Sequence, residues 1–157
     1  MIVKKNSNGN AGLMDKSGVL RAPVPKVFEP GPELDAYIAE GLMGYRMVKV
    51  TAGGRKQELV DPNGYAVVVY DGGKANYIGF QKRNLPSYST DERDLWPLVA
   101  RLAELTYGVA FEPSLDGWLV RVSGGQYFKG KTASAAVAAL AVCVIAKMKL
   151  GPKGGAK

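Results

Sequence analysis

The chain has 157 residues, of which 46% are apolar, and it carries 21 basic and 14 acidic side chains but no histidine. The lack of histidine excludes a histidine general base and zinc sites with histidine ligands. A single cysteine excludes a disulfide within the chain, which suits a reducing compartment. We therefore expect a chain long enough for one domain with a real core, and we predict no metal and no cofactor.

The first 32 residues are predicted to form an extended basic arm. They are rich in Asn, Gly, Ser and Pro, and Ala22-Pro23-Val24-Pro25 and Glu29-Pro30-Gly31-Pro32 favour extended backbone. No apolar run follows the charges at the start of the chain, so we expect no signal peptide. Residues 1–30 carry a net charge of +3 (five basic, two acidic).

The residues from 33 to 149 are predicted to form one α+β domain, in which helices cover an antiparallel sheet. Its first half reads as a helix at 33–43 followed by strands at 45–51, 57–60 and 65–70 and a weaker strand around 77–81. Turn signals such as Asp61-Pro62-Asn63-Gly64 separate these strands.

The second half reads as a helix at 90–106, strands at 109–111, 118–123 and 126–129, and a last helix at 132–149. Ser89 and Glu92 fit a capping box, and Pro97 should kink the second helix or delay its start. The last helix is apolar from Ala135 to Ala146, which is shorter than the ~20 residues of a membrane span, so we expect no membrane contact. We expect Cys143 to be an inert core thiol with no cation beside it.

Residues 150–157 are predicted to be a flexible basic tail. Residues 147–157 carry four lysines and no acid, whereas residues 31–146 hold 12 basic and 12 acidic side chains. The excess positive charge therefore belongs to the ends of the chain, and we predict that these ends contact partners. The predicted partner-binding residues are Lys4, Lys5, Lys16, Arg21, Lys26, Lys149, Lys153 and Lys157.

Residues 125–132 match the phosphate-binding P-loop pattern G-x-x-x-x-G-K-[ST] through Gly125, Gly130, Lys131 and Thr132. Only 25 residues follow Thr132, and they supply no later strand with a second acidic Mg²⁺ ligand. The residues between the glycines are bulky and typical of a strand. We therefore interpret the match as a hairpin strand, a glycine turn and a helix start, and we predict no catalytic residues and no enzyme activity.

Two resemblances cover parts of the chain. A helix ending Leu42-Met43-Gly44-Tyr45, the stretch Pro86–Asp91 before a helix with Trp96, and an Ala-rich closing helix resemble the phage ABA-sandwich domain family over residues 34–148. That resemblance implies a phage-encoded protein without established enzymatic activity. The order helix, three strands, helix from residue 90 onward is similar to a double-stranded-RNA-binding domain, although few cations begin its last helix.

These observations predict a non-enzymatic phage protein that acts through protein contacts, as a minor structural or assembly component of a virion. The expected partners are other phage structural proteins or further copies of this chain, with the tails as the segments that would touch nucleic acid. The expected location is the virion or the host cytoplasm. The alternative is an intracellular phage accessory protein that binds a nucleotide or RNA of the host.

Overall fold

A computed structural model of the protein describes residues 13–14, 20–50, 55–79 and 84–150. The fold is α+β, as the sequence predicts, and these residues form three α-helices and separate antiparallel sheets where one sheet was expected. The described residues divide into two compact units. Unit 1 comprises residues 13–14, 20–27, 32–50, 55–79 and 84–86, and unit 2 comprises residues 28–31 and 87–150. The single domain over 33–149 stays a prediction, because two compact units can unfold together or separately.

Unit 1 contains one helix, a small strand pair and a four-stranded antiparallel sheet. Its elements are β1 (Leu13–Met14), β2 (Leu20–Arg21), α1 (Pro32–Leu42), β3 (Arg46–Lys49), β4 (Lys56–Val60), β5 (Ala66–Asp71) and β6 (Lys74–Tyr77). β1 pairs with β2, and the larger sheet has the order β3-β4-β5-β6. Gly44, with φ of 78°, follows the end of α1 and turns the chain into β3.

The core of unit 1 is formed by α1 and the two central strands. Ile38 of α1 and Leu59 of β4 are fully buried. The neighbouring valines Val67 and Val68 of β5 are also fully buried, although their side chains point to opposite faces of the sheet. Both faces of β5 are therefore covered, which explains why its sequence is continuously apolar.

The strand predicted around 77–81 exists, but its predicted bounds are wrong. The observed strand β6 covers Lys74–Tyr77, and Lys74 pairs directly with Asp71 across a two-residue turn. Gly72 and Gly73 form this turn with φ of 58° and 94°, which is the backbone that tight hairpins require. The tight turn starts the returning strand earlier than its apolar residues suggest; of the predicted residues, 80 and 81 lie outside the described part of the chain.

Unit 2 contains a three-stranded antiparallel meander between two helices. A 3-10 turn (Glu92–Asp94) leads into α2 (Leu95–Thr106), then β7 (Val109–Ser114), β8 (Gly117–Val122), β9 (Tyr127–Gly130) and α3 (Ala133–Leu150). The sheet order is β7-β8-β9, and α3 packs on β8 and β9. Val120 on β8 and Val137 on α3 are fully buried in this unit.

The start of α2 differs from the predicted capping box. Asp91 is the cap of the 3-10 turn, and its Oδ1 accepts a hydrogen bond from the Arg93 N–H at 2.9 Å. The Ser89 hydroxyl oxygen instead accepts a hydrogen bond from the Gly31 N–H at 2.9 Å. The predicted delay is confirmed, because α2 begins at Leu95 and places Pro97 in its first turn, where no intrahelical N–H bond is lost.

The last helix is buried over its first half and reaches the surface near its end. Ala136, Val137 and Ala141 are fully buried, whereas residues 146–149 are exposed. Among the described helices, none is long and apolar enough to cross a membrane.

Candidate functional site

An open cavity of about 570 Å³ lies in unit 2, between the end of α2, the β8–β9 turn and the second half of α3. Its walls are mainly apolar, and they include Leu105, Val122, Phe128, Leu140, Val144 and Met148. The volume lies within the ~300–1,000 Å³ that is typical of ligand pockets. We call this feature the apolar cavity.

The second half of α3 supplies one wall of the apolar cavity because its residues recur at helical spacing. Cys143 and Val144 follow Leu140 by three and four residues, and Lys147 and Met148 follow Val144 by the same spacings, so all five lie on one face of the helix. Lys147 carries the only charge among the described lining residues, and it lies near the helix C-terminus, where a cation is favourable. The cavity is thus apolar inside and positive at this end.

Cys143 does not have the surroundings that we expected. It is half-buried and lines the open cavity, and Lys147, one helical turn further along, lines the same cavity. The prediction that Cys143 is a core thiol is therefore wrong, whereas its inertness stays a prediction. The four-residue spacing between Cys143 and Lys147 was the sequence signal for this arrangement.

The β7–β8 turn lies at the opposite end of β8 from the apolar cavity. Leu115 and Asp116 form the turn, and the Leu115 side chain is fully exposed. Lys129 Nζ donates a hydrogen bond to Asp116, with an ion-pair distance of 2.9 Å, and this hydrogen bond holds the pKa of Asp116 below its ordinary value. The turn therefore presents an apolar side chain beside a carboxylate.

The P-loop-like residues have structural roles in unit 2. The Gly125 N–H donates a hydrogen bond to the Val122 carbonyl in the β8–β9 turn. A Cβ on Gly130 would collide with the backbone of α3 at Ala135 and Ala136, so glycine permits the close approach of strand and helix.

Thr132, the last residue of the P-loop-like motif, caps the start of α3. The Thr132 hydroxyl oxygen accepts a hydrogen bond from the Ala135 N–H at 3.0 Å, as an N-cap residue does. The side chain of Lys131 is exposed. Residues 125–132 thus form a turn, a strand and a capped helix start, and the absence of nucleotide binding stays a prediction.

Arg21, predicted to bind a partner, makes an ion pair within unit 1. Its Nη1 lies 3.2 Å from Glu40 Oε2, and the neighbouring Ala22 N–H donates to Glu40 Oε1 at 2.9 Å. Glu40 is buried on α1, so these contacts attach the end of the predicted arm to unit 1.

The other predicted basic residues are not brought together among the described residues. Lys26 lines a smaller cavity in unit 1, and Lys149 is exposed in the last turn of α3. The remaining five, which lie outside the described residues, are Lys4, Lys5, Lys16, Lys153 and Lys157.

The smaller cavity in unit 1 has a volume of about 210 Å³ and more polar walls. Residues 23–26 form one side, and Glu33, Tyr70 and Tyr77 lie on the others. Burial, followed by the nearby Tyr77 and Glu33, raises the pKa of Tyr70 above its ordinary value. The phenol of Tyr70 therefore stays neutral in the folded protein well into the alkaline range. The sequence does not indicate this cavity, because the pattern at residues 23–26 predicts an arm separate from the domain.

Within the described part of the chain, no three Cys, Asp or Glu side chains gather as they do around a metal ion. Comparisons with family models, curated proteins and solved structures found no match for the chain.

Proposed function

We propose that this chain is a non-enzymatic protein that acts through protein contacts, as a minor structural or assembly component of a phage virion. The observation that carries the proposal is the exposed apolar surface of unit 2. This unit combines the open apolar cavity with exposed apolar side chains at Leu115, Tyr107 and Trp96. Contiguous exposed apolar surface is typical of sites that bind other proteins, and the walls of the apolar cavity are such a surface.

The exposed side chains of unit 2 are large enough to contribute to binding. Tyr107 is 94% exposed and Trp96 is 61% exposed. Full burial of a large apolar side chain stabilises a complex by roughly 1.5–3 kcal/mol, and Trp and Tyr are enriched among the residues that dominate interfaces. A partner that covers these side chains therefore binds more tightly, and no chemical reaction at the site is needed.

The assignment to a phage rests on the sequence resemblance alone. Its most specific stretch is Tyr88-Ser89-Thr90-Asp91, which leads into α2. The proposed partners are other phage structural proteins or further copies of this chain, in the virion or the host cytoplasm.

The basic ends supply the electrostatic part of the proposal. Residues 1–30 and 147–157 together carry the whole net charge of +7, although Arg21 already pairs with Glu40. Positive chain ends favour contact with an acidic protein surface or with nucleic acid, and salt weakens such contacts.

The proposal can be tested by sedimenting phage particles from cells that make the tagged chain. We expect the chain in the particle fraction, and we expect it to remain there after nuclease treatment. Replacing Lys4, Lys5 and Lys153 together with glutamate should release the chain at moderate salt. The control carries the same change at Lys49, Lys74 and Lys131, which are exposed on the folded units, and should be retained.

Recovery of the unmodified chain only as free protein would contradict the proposal. Release by nuclease alone would assign the chain to nucleic acid instead of to the particle proteins.

A further inference from the structure

The β7–β8 turn places a large apolar side chain at its tip. Its two residues lack the positive φ that favours Asn and Gly in many hairpin turns, and the first of them is Leu115, whose side chain is fully exposed. Asp116 follows it, and the ion pair of Asp116 with Lys129 is solvent-exposed. Exposed ion pairs are weak, so the carboxylate can exchange partners at little cost. We call Leu115 and Asp116 together the knob.

The apolar cavity is complementary to the knob in polarity and in charge. Its walls are mainly apolar, which suits leucine, and its one charged lining residue, Lys147, is a cation, which suits aspartate. The basic ends of this same chain are poor candidates for the cavity, because Lys147 would repel them.

The knob and the apolar cavity of one chain cannot meet each other. The knob precedes the first residue of β8, Gly117, and the cavity includes its last residue, Val122. Along the strand, Asp116 lies about 20 Å from Val122 and about 13 Å from Val120, which pairs with the lining residue Phe128, since each residue advances ~3.3 Å. A knob can therefore enter only the cavity of a different molecule.

We propose that the apolar cavity of unit 2 is the docking site for the knob of a second copy of this chain. Leu115 of one molecule enters the cavity of the next, and Asp116 pairs with Lys147 at its rim. The two surfaces of the contact differ, so the association is head-to-tail, and it continues into a ring or a filament. This inference rests on the proposed assembly function and adds the contact by which copies join.

Sedimentation velocity of the purified chain over a wide range of concentrations tests the contact. The wild type should self-associate, and Leu115→Asn should weaken the association by roughly 10- to 100-fold, because it removes one buried leucine. The Leu115 side chain is fully exposed and its φ is not positive, so asparagine can replace it without strain and the variant should keep the wild-type melting temperature. Val27→Asn, which also changes an exposed apolar residue, should associate like the wild type.

A mixture of two variants identifies the head-to-tail geometry. Leu115→Asn keeps an intact cavity, whereas Lys147→Glu keeps an intact knob but would repel an incoming Asp116. Each variant alone should be monomeric at concentrations where the wild type associates. Their mixture restores one contact for each pair of molecules and should form dimers that grow no further.

Three results would overturn the inference: a monomeric wild type, unchanged association of Leu115→Asn, or no dimer in the mixture. A monomeric wild type whose cavity binds an apolar dye would assign the cavity to another ligand. A chain that sediments with particles yet stays monomeric when pure would refute this contact and leave the proposed function intact. A chain that self-associates through this contact but never enters particles would support the contact and refute the proposed function.

Discussion

Replacing Glu40 with alanine tests whether the segment before α1 belongs to the fold of unit 1. The Glu40 side chain is 4% exposed, and its two oxygens accept hydrogen bonds from the Arg21 guanidinium and the Ala22 N–H. Ala22 is itself 1% exposed. In the variant, the Ala22 N–H therefore stays buried without its acceptor.

The expected loss of stability follows from these two contacts. A hydrogen bond to a charged acceptor contributes about 1.5–3 kcal/mol, and the half-exposed ion pair with Arg21 adds less than about 1 kcal/mol. Removing the carboxylate also removes the cost of burying it, so we expect a net loss of roughly 2–3 kcal/mol. For a chain of this length, 1 kcal/mol corresponds to about 2–4 °C, so the melting temperature should fall by about 5–10 °C.

Thermal unfolding followed by circular dichroism measures this change. Arg21→Ala should lower the melting temperature less, because it leaves the bond from Ala22 intact. The matched control is Glu104→Ala, which removes an exposed carboxylate from α2 and should have an effect within about 0.5 kcal/mol. If Glu40→Ala melts with the control, residues 20–22 do not stabilise unit 1 and our reasoning fails.

The remaining predictions concern the chain ends, one glycine, the P-loop-like motif and a buried tyrosine. A chain shortened to residues 33–149 should have a lower melting temperature than one shortened to 20–149, because only the longer chain keeps the bonds to Glu40. Equal melting temperatures would mean that residues 20–32 are not needed for the stability of the fold. Gly130→Ala should destabilise the protein by several kcal/mol, since its Cβ would lie 2.8 Å from the Ala135 carbonyl carbon, whereas Gly79→Ala meets open space; similar melting of the two variants would contradict the close packing. Neither the wild type nor Lys131→Ala should release phosphate from ATP or GTP with Mg²⁺, and turnover that is lost in the variant would refute this. Because burial raises the folded-state pKa of Tyr70, its contribution to stability is complete below its ordinary pKa of about 10 and is lost as the pH rises through the folded-state value. Tyr70→Phe should therefore lose less stability than the wild type between pH 9 and pH 12 (from ~1 unit below that pKa to ~2 units above it), as chemical unfolding at each pH would measure.

Sequence patterns predict the helix that forms one wall of the candidate site, but they do not predict the cavity itself. The apolar run from Ala135 to Ala146 predicts a buried helix, and the first half of α3 is buried. The same run gives no sign that Cys143 and Val144 line an open cavity, because the cavity depends on where α2 and the β8–β9 turn lie relative to α3. Periodicity locates a helix face but does not specify the surface opposite it.

The sequence by itself determined the order and approximate bounds of most helices and strands. Alternating apolar residues, glycine turns and Pro97 act on neighbouring residues, so their effects can be worked out without the rest of the chain. Only the tertiary structure decided the roles of Glu40 and Ser89, whose partners are Arg21, Ala22 and Gly31. These contacts join residues 18–58 positions apart, and which side chain satisfies a buried donor over such a separation depends on how the elements pack. Local chemistry therefore specified the elements, and packing specified which polar groups and apolar surfaces meet.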